Sequence, residues 1–124
     1  MNNATSRHIA LGALSAAALV FAAAGAQAHA HLVKSDPVAD ASVAAPQQIH
    51  LQFSETLEPK FSGADLMKLD GATLPTASVV NDKNRKMIDA TPKAPLAPGG
   101  YMVRWHAVST DGHKTAGSFN FTVR

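Results

Sequence analysis

Residues 101–108 read YMVRWHAV, and this stretch decides the fold. Apolar side chains occupy every second position of it, at Tyr101, Val103, Trp105 and Ala107. Because successive side chains of a strand point to opposite faces, the pattern predicts a long β-strand with one buried face. The Pro-Gly-Gly sequence at 98–100 is typical of a turn before it. We expect Trp105 at the centre of the core, with Phe53, Phe119 and Phe121 as its neighbours.

The same period of two recurs on both sides of this strand. Residues 49–54 and 119–123 alternate between apolar and polar side chains. Shorter runs occupy residues 31–34, 64–69, 78–80 and 87–90, separated by segments rich in Pro, Gly, Asn and Asp. Seven prolines interrupt every longer window, so no helix is expected. The chain is long enough for one small domain. It is predicted to be all-β, an immunoglobulin-like antiparallel β-sandwich or barrel with about seven strands.

The first 28 residues have the pattern of a secretory signal peptide. Arg7 and His8 precede an uncharged run, rich in alanine and leucine, from Ile9 through Ala24. Small residues then stand at Ala26 and Ala28, the two positions that signal peptidase reads. The run is shorter and less apolar than a bilayer-spanning helix requires. We therefore expect cleavage after Ala28, export to the periplasm, and a mature domain of residues 29–124 that does not span the membrane.

Composition excludes several classes of protein. The chain contains no cysteine, which rules out disulfides, thiolate zinc sites and thiol nucleophiles. The formal net charge is only +2, and the basic residues are scattered apart from those of the Lys-Asn-Arg-Lys sequence at 83–86. Nucleic-acid binding would require a basic stripe with interleaved aromatic residues. We expect no nucleic-acid partner.

Cleavage after Ala28 would make His29 the first residue of the mature chain. Its free amine and its ring could then chelate one metal ion, because both groups lose their protons readily near neutral pH. His31 offers a competing geometry. There the amine, two backbone amide nitrogens and the His31 ring surround the metal in a square plane. One amine cannot easily serve both arrangements, and the sequence leaves the choice between His29 and His31 open.

A second group of candidate ligands follows the Trp105 strand, in the Ser-Thr-Asp-Gly-His sequence at 109–113. Asp111 and His113 are two residues apart, so in extended backbone their side chains point the same way. Gly112 allows a turn that a Cβ would oppose. One carboxylate oxygen and one imidazole, together with a bidentate N-terminus, provide three nitrogens and one oxygen. That ligand set suits tetragonal copper(II).

The remaining histidines and methionines are interpreted as structural. His50 and His106 fall on the outward faces of their strands and are expected at the surface. Met67, Met87 and Met102 lie on separate strands, as packing residues do. Copper(I) prefers soft sulfur ligands gathered in one place, and the sequence shows no such cluster.

Three stretches of the chain resemble the CopC family of periplasmic copper-resistance proteins. They are HAHLVKSDP at 29–37, LQFSE at 51–55, and VRWHAVSTDGH at 103–113 with Gly117 and residues 119–123 after it. The resemblance implies an immunoglobulin-like fold that binds copper(II) through the N-terminal amine, the His29 ring, Asp111 and His113. It favours His29 over His31 as the ligand. It also implies a supporting role for Glu55, which would orient the amine or a ligand.

One departure from the family narrows the prediction. Some members carry a methionine-rich loop, with a histidine, that forms a separate copper(I) site. Residues 68–86 here contain neither methionine nor histidine, so we expect the copper(II) site alone. The resemblance further implies a partner, an inner-membrane copper transporter of the CopD type.

The sequence thus predicts a periplasmic copper(II) carrier or buffer in copper homeostasis and resistance, which requires no catalysis. Two other functions stay open. An N-terminal histidine with a second histidine also forms the copper brace of oxidative polysaccharide-cleaving monooxygenases. Here, however, Tyr101 and Trp105 lie on the predicted buried face and not on a broad substrate surface. The other possibility is a metal-free β-sandwich that serves as an interaction module.

Overall fold

Nine strands make up residues 29–124, the part of the chain that this computed structural model describes. They are β1 (Leu32–Asp36), β2 (Ser42–Val43), β3 (Ile49–Phe53), β4 (Gly63–Lys68), β5 (Thr73–Leu74), β6 (Thr76–Val80), β7 (Met87–Pro92), β8 (Gly99–Val108) and β9 (Lys114–Val123). Seven of them contain five or more residues and correspond to the seven expected strands, while β2 and β5 are two-residue additions. The signal peptide predicted at residues 1–28 lies outside the described residues. Within residues 29–124 there is no helix that could cross a bilayer.

The strands form two sheets that face each other. One sheet has the order β1-β3-β7-β6 and the other the order β2-β9-β8-β4-β5. The pairs are antiparallel except β2 with β9, which is parallel and lies at a sheet edge. The predicted all-β sandwich is therefore confirmed, with one parallel pair that the sequence did not indicate.

The core contains the residues that the alternation places inward. Tyr101, Val103, Trp105 and Ala107 of β8 are all buried, as are the three apolar residues of β3. Phe53 packs edge-on against Trp105, with ring centroids 5.0 Å apart, which confirms that contact. Phe121, by contrast, stacks on Tyr101 at 5.5 Å. Trp105 is 9% exposed and Tyr101 only 2%, so the tryptophan is not the most deeply buried aromatic residue of the core.

Cross-strand contacts add to what local pattern predicted for the remaining histidines and methionines. His50 lies at the surface as expected, with its side chain 39% exposed, and its Nδ1 also lies 2.7 Å from Oδ1 of Asp89 in the adjacent strand β7. Asn81 donates a hydrogen bond to the other oxygen of Asp89, at 2.8 Å. The methionines are less dispersed than their spacing suggests, because Met67 of β4 and Met102 of β8 are direct cross-strand partners. Strand register creates both contacts, and no local pattern encodes it.

The end of the sandwich that matters for function is formed by three segments. The chain enters β1 there, β3 ends there at Phe53, and β8 turns into β9 there through residues 109–113. The bridge between Leu57 and Ser109 ties the segment after β3 to this turn. Residues that are far apart in sequence therefore meet at one end of the sandwich.

Gly117→Ala should destabilise the domain, because the indole of Trp105 covers this glycine in β9. A Cβ at position 117 would lie 2.5 Å from Cζ2 and 2.8 Å from Cε2 of that ring, so the indole or the strand would have to move. We expect a loss of about 2 kcal/mol in the free energy of unfolding, as is typical of overpacking. Urea unfolding followed by the fluorescence of the single tryptophan measures it.

Ser118→Ala, at the exposed neighbouring position, is the matched control and should change stability by less than about 0.5 kcal/mol. A Gly117→Ala protein as stable as this control would show that Trp105 does not pack closely on Gly117 of β9.

Candidate metal centre

The tripeptide His29-Ala30-His31 is held by hydrogen bonds from both sheets. The His31 amide donates to Oγ of Ser54 at 2.9 Å, and the Ser54 amide donates to the His31 carbonyl at 2.9 Å. From the other sheet, the Thr115 hydroxyl of β9 donates to the Ala30 carbonyl at 2.8 Å. Ala30 is completely buried and belongs to the apolar core, whereas His29 is half-buried and His31 is exposed. The tripeptide therefore closes the end of the sandwich in a defined conformation.

The turn between β8 and β9 presents Asp111 and His113. The turn is closed by a backbone hydrogen bond, which the Ser109 amide donates to the His113 carbonyl at 3.0 Å. Gly112 has φ of 89°, a left-handed conformation that favours glycine. The two side chains do converge, with Nδ1 of His113 2.8 Å from Oδ2 of Asp111. The prediction of an extended backbone here is wrong, because a turn, and not strand alternation, brings the two side chains together.

Asp111 is a strongly stabilised carboxylate. The Ser109 hydroxyl donates a hydrogen bond to its Oδ1, and the His113 ring and amide bond the same carboxyl group. These contacts, that of Ser109 above all, lower the pKa of Asp111 from 3.8 to about 2. A hydrogen bond to the charged form favours ionisation, so Asp111 carries its negative charge throughout the neutral range.

The N-terminal segment and the turn bring His29 and His113 together. Their ring centroids are 4.8 Å apart and the rings meet edge to face at 61°. The ring of His31 is farther out, with its centroid 6.4 Å from that of His29. His113 thus contacts both His29 and Asp111, while His31 lies farther out.

Glu55 is half-buried and follows Ser54 in sequence. Its carboxylate makes no hydrogen bond or ion pair with any other residue of the described range 29–124. Its orienting role stays a prediction.

The donor set of this region is that of a candidate metal site, with two imidazoles and one carboxylate. Among residues 29–124, no three His, Asp or Glu side chains stand close enough together to hold a metal ion as they are placed. Because Asp111 bonds Nδ1 of His113, Nε2 is the ring nitrogen left for a metal. A carboxylate that orients a ligating histidine in this way is common around protein metal ions. Asp111 can therefore act by orienting His113, by binding the ion, or by both in turn.

Ser54, Ser109 and Thr115 are contacts of the site that sequence reasoning missed. Ser54 and Ser109 both lie within stretches that carry the family resemblance, but their hydroxyl partners depend on how the sheets close. Thr115 is an unremarkable threonine in sequence, and its bond to Ala30 joins residues that are 85 positions apart in the chain. Only the tertiary structure identifies these roles.

Comparison with known proteins adds independent information. The CopC domain family matches residues 32–124. The Escherichia coli copper resistance protein C is 43% identical over 106 residues, which cover 80% of this chain and 84% of that protein. Protein YobA of Escherichia coli strain K12 is 43% identical over 99 residues, 78% of this chain and 80% of that one.

A solved structure agrees with these relatives. The crystal structure of PcoC, a methionine-rich copper resistance protein from Escherichia coli, superposes with a TM-score of 0.71 at 39% identity. The match covers 78% of this chain and all of PcoC. On the family match, the identities and this shared fold, the chain belongs to the CopC family.

Proposed function

We propose that the chain is exported, cleaved after Ala28, and acts as a periplasmic copper(II) carrier or buffer in copper homeostasis and resistance. The observation that carries the proposal is the convergence of His29, Asp111 and His113 at one end of the sandwich. The names of the relatives, which include copper resistance, support the choice of metal. The mature domain would then be residues 29–124.

The chemistry of binding follows from the donors at this site. In the full chain the nitrogen of His29 is a peptide amide, which donates no lone pair. Cleavage turns it into an amine next to the His29 ring, and the two chelate the ion as cargo. His113 supplies a second imidazole through Nε2, and Asp111 supplies negative charge against the cation. Nitrogen and oxygen donors of this kind suit copper(II), and no methionine is among them.

Binding without catalysis is the favoured function. The large aromatic residues of β8, Tyr101 and Trp105, are buried in the core and cannot form a sugar-binding face. Asp111 and His113 are 40% and 44% exposed, so an acceptor protein could reach the ion. We propose that this acceptor is an inner-membrane copper transporter of the CopD type.

The first test concerns the free amine. Mature protein beginning at His29 should bind one copper(II) ion tightly. The same protein with Ala28 retained should have a copper(II) affinity lower by more than about 100-fold. That loss is larger than the one usually caused by mutating a residue that only supports a ligand. The reason is that an amide replaces the amine while every side chain is kept. Competition titration against a chelator of known affinity measures the difference.

Circular dichroism and urea unfolding of the extended protein are the controls, and both should match the mature form. Equal copper affinity in the two proteins would show that the amine is not a ligand.

The second test separates the ligands from the other histidines. His113→Ala should reduce copper(II) affinity by more than about 100-fold, because it removes a ligand. Asp111→Asn should reduce it by about 10–100-fold if the carboxylate acts chiefly by orienting His113. His106→Ala removes an exposed imidazole of β8 and is the matched control, with unchanged affinity expected. Calorimetric titration of the mature proteins measures all three affinities.

Copper affinity unchanged by His113→Ala, or lowered equally by His106→Ala, would contradict this site.

A further inference from the structure

The freed N-terminus has two incompatible ways to hold a divalent metal. In the brace mode, the amine and the His29 ring bind together with the residues of the 109–113 turn. In the amide mode, the amine, the amide nitrogens of Ala30 and His31, and the His31 ring form a square plane. Copper(II) and nickel(II) both accept square-planar nitrogen coordination, so the amide mode would admit nickel.

The backbone of the tripeptide is already engaged where the amide mode would need it. The His31 amide donates to Oγ of Ser54 at 2.9 Å, and the same hydroxyl donates to the His29 carbonyl at 3.3 Å. One serine thus spans the tripeptide from its first carbonyl to its third amide. A metal on the His31 nitrogen would have to displace this hydroxyl.

Thr115 fixes the middle residue from the opposite sheet. Its hydroxyl donates to the Ala30 carbonyl at 2.8 Å, and the Ala30 methyl is fully buried. Any wrapping of the backbone around a metal that moves Ala30 would strain this bond and the packing of its methyl group. The brace mode, in contrast, uses no amide nitrogen of Ala30 or His31 and leaves all of these bonds in place.

We propose that Ser54 and Thr115 are positioning residues that determine metal specificity. By holding the backbone of residues 29–31 they exclude the amide mode and direct copper(II) to His29, Asp111 and His113. Nickel(II) is thereby denied the square-planar site at His31. The inference rests on the proposed function in one respect, since the amine must be freed by cleavage.

The size of the effect can be estimated from the bonds removed. Ser54→Ala removes two side-chain hydrogen bonds and Thr115→Val removes one. Each is worth about fivefold in an equilibrium, so the double substitution should favour the amide mode by roughly 100-fold.

The experiment uses mature protein, residues 29–124, with nickel(II) as the probe. Square-planar nickel(II) is diamagnetic and yellow, whereas six-coordinate nickel(II) is paramagnetic, so visible absorption and proton NMR distinguish them. We expect the double variant S54A/T115V to form the diamagnetic complex, and the parent protein to form it roughly 100-fold less. Adding His31→Ala to the double variant should abolish the complex. The paired control S118A/T122V makes the same chemical changes at exposed positions of β9 and should behave as the parent.

A second readout needs no metal. Hydrogen exchange of the His31 amide in the metal-free protein should be slow in the parent and accelerated by roughly 10-fold or more in S54A. Ser54→Thr, which keeps the hydroxyl, should restore slow exchange. The single variants S54A and T115V, checked by circular dichroism, extend the test should the double variant not fold.

The outcomes separate this inference from the proposed function. A parent protein that forms the His31-dependent diamagnetic complex as well as S54A/T115V does, or whose His31 amide exchanges as fast as in S54A, overturns the role of the two hydroxyls. A parent protein that binds no copper(II) overturns the proposed function, while the nickel and exchange results still decide the inference.

Discussion

The structure depends on the closure of one end of the sandwich by the segment before β1. Because β1 pairs with β3, the start of β1 lies beside Ser54, the residue after β3. The Ser54 hydroxyl accepts a hydrogen bond from the His31 amide, and the Ser54 amide donates one to the His31 carbonyl. Thr115 of the second sheet engages Ala30, so the N-terminal tripeptide joins both sheets. Without this closure, His29 would hang from a free strand end. With it, the His29 ring stands against His113 at the turn between β8 and β9.

The alternation of apolar residues predicted which side chains are buried, but not which residues are cross-strand neighbours. The alternation of β3 and β8 predicts the burial of Leu51 and Trp105, because a period of two is a property of each strand alone. Strand register is not local. The pairs His50 with Asp89 and Met67 with Met102 follow from which strands become neighbours, which alternation does not specify. The family resemblance, likewise, supplies candidate ligands but not the hydroxyls that hold them.

The turn at 109–113 shows how a correct grouping can rest on a wrong conformation. Strand spacing predicts that Asp111 and His113 lie side by side, and they do. The cause is a tight turn that ends in a left-handed Gly112, with Ser109 buried beneath it. That difference changes the chemistry, because the turn lets the Ser109 hydroxyl reach Asp111 and lower its pKa. An extended strand would have left the carboxylate to water.

A carrier must hold its ion and also give it up, and the placement of the candidate ligands fits both requirements. The backbone of residues 29–31 is held by the core and by two hydroxyls, so under the proposed function the donors would need little further ordering to bind the ion. The side chains of Asp111 and His113 are 40% and 44% exposed, so under the proposed function an incoming ligand could replace them one at a time. The held backbone would therefore favour tight binding of the ion, while the exposed side chains would allow its transfer to another ligand. A fully buried site with the same donors would instead require the fold to open before the ion could leave.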